Sequence, residues 1–415
     1  MDSVKAANRS IFVISVLITG AIAGAFVWLL LFIMELGLEL IWDRVPIFLG
    51  EFYPVIMCVV GGAVIGLFAR RYGQYPESLM QVLGKVKRTG RYEYDDLAPM
   101  SAAALLPIIF GGSVGPEAGL VGAIAAICTW VGDRLKCFGN DFQELTRVGT
   151  YAALSAIFTA PFYGFADAVT GESVEGYDTP YVTKRMRILI YAIAIIGAFG
   201  MYYMLSHLIG GGMHMPQFDD IGYGMEEFLW LIPMALIGGA MGWAYCILDR
   251  HFEHIGKRCE SRPVARAMFA GLLLGLCGMA LPFTMFAGET QAVELQSTWV
   301  TMSAAVLIGT GVVKIVITAL CVNMGWRGGH FFPVIFSGIT IGYGVSILMD
   351  VDPIFCVCAV TAALVGGVLR RPLMAVLLLF LCFPLHSVFV LGIAAVIGSK
   401  LPLPKEKTDG SVTSE

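Results

Sequence analysis

Two glycine–proline cassettes hold the residues whose types and spacing can do chemistry: Gly111–Leu120 (GGSVGPEAGL) and Gly328–Pro333 (GGHFFP). In each, a proline can open a helix and the apolar residues after it can continue one. Glycines just ahead of a helix start leave backbone N–H groups bare, and those groups point along the positive end of the helix dipole. Two such ends brought together make an anion site built from amides. Amides supply directed hydrogen bonds without a full positive charge that would trap the ion. The chemistry calls for no metal, nucleophile or cofactor.

The elements that must position these cassettes are membrane helices. The chain has 415 residues, 57% of them hydrophobic and 14% charged, too few charges for the surface of a soluble protein of this size. A bilayer core about 30 Å thick takes roughly 20 apolar residues per helical crossing. The stretches 11–41, 55–69, 188–208, 228–248, 267–281 and 302–322 reach or approach that length. Others, at 97–110, 120–131, 151–169 and 334–349, are shorter or broken by Gly or Pro. Broken helices are tolerated where protein or a water-filled cavity covers the loose backbone.

Basic residues cluster at Lys5/Arg9, 70–91, 134–147, 184–187, 250–266 and 400–407, whereas 210–227 has no Lys or Arg. By the positive-inside rule both termini and the basic loops are expected in the cytoplasm of a multi-pass protein, with a bacterial inner membrane as its setting. The first apolar segment is too long for a cleavable signal peptide. The ten cysteines are scattered through apolar segments, and Cys356 and Cys358 have no nearby partners for a metal set. Phosphate-loop, dinucleotide and nucleic-acid signatures are missing, so neither nucleotide nor nucleic acid is expected as a partner. An enzyme is not expected either.

The two halves rhyme. After Pro116 comes Ala160-Pro161-Phe162-Tyr163-Gly164, and after Pro333 comes Arg371-Pro372-Leu373-Met374. Each cassette thus leads into a Gly-containing helix, another helix and a Pro-started helix, the pattern of an inverted-repeat transporter. The expected divisions are an N-terminus with the first helix (1–49), a first repeat (50–175) and connecting helices with a basic loop (176–264). A second repeat (265–403) and a polar tail (404–415) follow.

Gly329-His330-Phe331-Phe332-Pro333 resembles the GxFxP motif of the CLC family of chloride channels and proton-coupled chloride transporters. Gly112-Ser113-Val114-Gly115-Pro116 lies where that family has G-(K/R)-E-G-P. Residues 362–373 (AALVGGVLRRPL) and Phe158-Thr159-Ala160-Pro161 resemble the stretches opening the family's dimer-interface helices in the two repeats. The resemblance covers about 55–400, and the GPEA form is similar to that of a divergent bacterial branch. It implies an all-α membrane protein, an inverted repeat of tilted and broken helices, and a homodimer with one anion pathway per subunit. It also implies that backbone amides around Ser113, Val114 and Gly115, and around Gly329, His330 and Phe331, hold a small inorganic anion, chloride by default.

Departures from the family pattern bear on mechanism. The family's external gating glutamate falls on Val114, and its internal proton-relay glutamate on Gly171; Glu172 is one place off, about 100° around a helix. The anion-site serine motif becomes Tyr72-Gly73-Gln74-Tyr75-Pro76, and residues 384–415 contain no tyrosine to cap the inner end of the pathway. The expectation is passive, uncoupled conduction. The alternatives are a proton-coupled antiporter that uses Glu117, Asp167 or Glu172 as gate or proton site, and a non-conducting membrane scaffold. Glu117, near one turn beyond Val114, reads either as a relocated gate or as a first-turn acid answering exposed N–H groups. Asp167 is an acid in an apolar stretch, costly unless paired. Lys314 and Arg327 are candidates for raising the anion potential of the pathway, or else a structural cation and an interfacial anchor. Glu289 reads as part of a loop turn and His330 as a backbone contributor, while His251 and His254 are expected in solvent.

Overall fold

A computed structural model of the chain describes residues 2–44, 50–73, 77–135, 142–164, 184–212, 215–219 and 224–403. Among them the architecture is helical, and the one extended contact is an isolated bridge between Gly115 and Gly329. The helices run α1 (Asp2–Leu38), α2 (Tyr53–Tyr72), α3 (Leu79–Thr89), α4 (Leu97–Ile109), α5 (Pro116–Arg134), α6 (Phe142–Ile157), α7 (Lys184–Ile209) and α8 (Met225–Arg258). They continue as α9 (Pro263–Ala280), α10 (Glu289–Thr298), α11 (Ala304–Asn323), α12 (Phe331–Met349), α13 (Pro353–Leu369), α14 (Pro372–Leu379) and α15 (Val388–Lys400). Among the described residues, seven helices are long and apolar enough to cross a membrane, α1, α2, α7, α8, α9, α11 and α12. The chain is an integral, multi-pass membrane protein.

Local sequence accounts for where the helices begin. Proline opens α2, α5, α9, α13 and α14 within the first two positions, where its missing N–H costs nothing. Ser78, Ser303 and Asp352 cap α3, α11 and α13 by accepting from the amides of Gln81, Val306 and Phe355. The two cassette helices, α5 and α12, carry no side-chain cap of their own.

Small residues let the helices approach closely. Gly20 and Gly24 of α1 meet the backbone of Ala194 and Ala198 of α7, a small-xxx-small contact. Gly62 and Gly66 of α2 face α9 in the same way, and Gly271 and Gly275 return the contact. Helices α5, α12 and α13 are apolar on every side and buried almost throughout, so they form the centre of the molecule. Phe162 and Phe380 meet edge to face at 5.4 Å, joining the segment after α6 to the segment after α14.

Asp167, Gly171 and Glu172 lie outside the described residues, as do Gln74–Pro76 and the tail from residue 404. Glu289 is the first helical residue of α10 rather than part of a turn. The glycine break expected there is real but sits one place earlier, at Gly288, whose φ is +110°. Cys356 and Cys358 are buried in α13, and His251 and His254 are exposed.

Candidate anion site

The two cassettes meet. Gly115 N–H donates to Gly329 O at 2.7 Å, and Gly329 N–H donates to Gly115 O at 2.6 Å. This reciprocal pair sets the start of α5 against the start of α12, so two positive helix ends converge inside the protein. Trp326, fully buried, holds the arrangement together: its Nε1 donates to Ala267 O of α9 at 2.8 Å, and its ring leaves no room for a side chain at Gly112. Trp42 ties down the end of α4 by donating to Ile109 O at 2.9 Å.

Glu117 occupies the junction. It is the second residue of α5, wholly buried, and its Oε1 accepts from the backbone N–H of Phe331, the first residue of α12, at 2.8 Å. The backbone N–H groups of Glu117 itself and of Phe332 also act on the carboxylate. Oε2 makes no hydrogen bond. A Cβ on Gly115 or Gly329 would collide with this carboxylate, so both positions need glycine for close approach. A tethered carboxylate therefore sits where two helix starts offer amides to an anion.

The other residues singled out from sequence divide into those around this junction and those elsewhere. Val114 is buried, with its side chain against Gly328. Ser113 is also buried, and its hydroxyl pairs with that of Thr318 in α11 at 3.0 Å. Half-buried His330 precedes α12, its ring 4.6 Å from that of Phe331 and 5.4 Å from that of Tyr245. The Phe331 and Phe332 rings pack on Phe158, at 5.9 and 5.7 Å.

Lys314 points away from the junction. Its ammonium donates to the carbonyls of Phe283, Met285 and Phe286 at 2.9, 2.8 and 3.0 Å, and lies 4.7 Å from the centre of the Phe336 ring. Phe286 N–H in turn donates to Gly111 O at 3.0 Å, so Lys314 anchors a loop that braces the first cassette.

A cavity of about 620 Å³ leads to Glu117 from the side of the basic loops. Arg327, Arg266 and Lys257 line it, together with the acids Glu77, Asp249 and Glu253. Arg327 thus faces this vestibule next to the second cassette. Sequence reading passed over Tyr245 and Asp249 of α8. Their signal was a spacing of four, Tyr245-Asp249-Glu253, which places them along one helix face.

Comparison with known proteins shows the family and the fold of the chain. Residues 61–402 match the family described as voltage gated chloride channel. The YfeO protein of Salmonella newport (strain SL254) is 23% identical over 343 residues, 80% of this chain and 79% of its own. A CLC-type fluoride/proton antiporter has a similar structure, with a TM-score of 0.76 at 18% identity over 95% of both chains. So does a slow cyanobacterial Cl−/H+ antiporter, with a TM-score of 0.77 at 17% identity over 94% of this chain and 93% of that one. With the family match spanning most of its length, the chain belongs to the voltage gated chloride channels, the CLC family of anion transport proteins.

Proposed function

We propose that the protein carries small anions, chloride by default, through the junction of the two cassettes, with Glu117 as a proton-linked gate. The observation behind this reading is the 2.8 Å contact between Glu117 Oε1 and the Phe331 N–H. An anion drawn to the two helix starts must compete with the carboxylate for that amide. Protonation removes the charge that holds the carboxylate there, so a proton bound by Glu117 and an anion bound in the cradle favour one another. Two of the similar structures are of anion/proton antiporters, one for fluoride and one for chloride. We further propose a homodimer, with the basic loops and both termini in the cytoplasm.

A second reading, passive and uncoupled conduction, draws on Val114. The position that aligns with the family's gating glutamate holds a buried valine packed on Gly328, which can neither compete with an anion nor carry a proton. One experiment separates the two. Purified protein in chloride-loaded vesicles is given an outward chloride gradient, and chloride efflux and pH are recorded together. Proton uptake driven by chloride efflux, abolished in Glu117→Gln, is the expected result. Chloride efflux with no proton movement would establish the passive reading, and no flux of any small anion would leave a membrane scaffold.

A further inference from the structure

Two buried polar atoms beside the junction lack partners. One is Glu117 Oε2, an acceptor; the other is the hydroxyl of Tyr245, which is 2% exposed. Leaving such groups unpaired is costly, because each has given up its water on burial. The ring of His330, which lines the vestibule beside Glu117, lies 5.4 Å from that of Tyr245. A donor and an acceptor left unpaired beside a vestibule that Glu117 and His330 line suit a bridging water.

The same helix face continues into that vestibule. Asp249 lies one turn beyond Tyr245 and Glu253 one turn beyond Asp249, so the three descend along α8 at about 6 Å per step. Asp249 and Glu253 line the cavity that reaches Glu117. Half-buried Asp249 accepts from Asn323 Nδ2 at 2.7 Å, and this bond holds it against the end of α11. Exposed Glu253 pairs with Lys257 at 2.7 Å.

We propose that protons travel between the basic-loop side and Glu117 along this face of α8. Asp249 is the carboxylate that exchanges protons with vestibule water, and the Tyr245 hydroxyl is the relay beside Glu117. The proposal rests on the proton-linked reading of Glu117. In the inward-to-cradle step, a proton leaves the Asp249 carboxyl for water in the vestibule. Water then passes that proton to Glu117 directly, or gives it to the Tyr245 oxygen as the Tyr245 hydroxyl proton moves to Glu117, leaving Tyr245 and Glu117 neutral and Asp249 as carboxylate. No oxidant, reductant or leaving group is involved.

The surrounding charges bear on how Asp249 holds its proton. Arg250 and Glu253 share its helix, Arg266 and Arg327 line the same vestibule from α9 and the second cassette, and Glu77 does so from the segment ahead of α3. At the other end, Glu289 of α10 acts on Glu117 from a different helix. Acids and arginines thus share one vestibule, so a route for protons and an approach for anions run side by side.

Asp249→Asn keeps an oxygen that accepts from Asn323 and removes only the proton site. Tyr245→Phe keeps the ring and removes only the hydroxyl. In vesicles with an outward chloride gradient, Asp249→Asn is expected to lower the protons moved per chloride by about tenfold or more while chloride still moves. Tyr245→Phe is expected to lower the same ratio. Wild-type stoichiometry in Asp249→Asn, with coupling lost in Glu117→Gln, would overturn the α8 route and leave the Glu117 gate standing. Loss of both fluxes in a monodisperse, folded Asp249→Asn would assign Asp249 a structural role and overturn the route as well. A wild-type protein that moves no protons would remove both the gate and the route.

Discussion

The Oε1 atom of Glu117, on α5, lies 2.8 Å from the backbone nitrogen of Phe331, on α12, although 214 residues separate them in the chain. One hydrogen bond thus couples the start of a helix in the first half to the start of a helix in the second. It also fills with a tethered carboxylate the amide that an anion would use.

Chloride transport is therefore expected to accelerate as the vestibule side is acidified. Protonated Glu117 is neutral and no longer holds the Phe331 amide against an anion, so low pH favours the open cradle. The pH dependence of chloride efflux from vesicles checks this. Glu117→Gln should lose most of that dependence, and a pH profile that survives the substitution would point to another titrating group.

Alanine at Gly329 is expected to weaken both the cradle and the fold. Its Cβ would run into the Glu117 carboxylate, and overpacking of this kind costs about 1–3 kcal/mol. A lower thermal midpoint in detergent, with altered chloride affinity by calorimetry, is the expected pair of results. Gly200, which has open space around its Cα, serves as the control, and Gly200→Ala should leave both values near wild type.

Lys314→Met should act on stability first. It strands the carbonyls of Phe283, Met285 and Phe286, each at about 1–3 kcal/mol, and frees the loop that contacts Gly111. A large drop in thermal midpoint is expected, with partial recovery in Lys314→Arg. Weaker chloride binding at unchanged stability would instead assign Lys314 to the electrostatics of the pathway.

The proposed dimer is expected to meet at α14 and the turn after it, over 372–385. Leu373 and Leu385 are 49% and 73% exposed on the single subunit. Cysteine at Leu385 is expected to crosslink two copies in native membranes. Crosslinks confined to cysteines placed on α8 or α9 would contradict this interface.

Much of the fold was legible in the chain because its causes are local. Long apolar runs and the helix-opening prolines at 116 and 372 each depend on neighbouring residues, whereas α12 opens at Phe331, two residues ahead of the Pro333 expected to start it. The position of the break before α10 was readable to within one residue, because Gly288 carries the positive φ that only glycine adopts readily. Lys314 was marked as a pathway cation or a structural one, but its partners were not foreseeable: three carbonyls of one distant loop cannot be read from residue types.

By itself, then, the sequence determined the membrane class, the two cassettes and the backbone amides ahead of α5 and α12 that no cap side chain satisfies. Only the tertiary structure decided what those amides meet. Val114 and Glu117 stand three residues apart, and nothing local says which side chain enters the cradle. That outcome depends on the Gly115–Gly329 pairing, which brings the Phe331 amide within reach of the second residue of α5 while Val114 packs against Gly328. The same holds for Tyr245 and Asp249. Their spacing marks a helix face, but only the packing of α8 beside the cassettes brings Asp249 to the vestibule and the Tyr245 ring to His330.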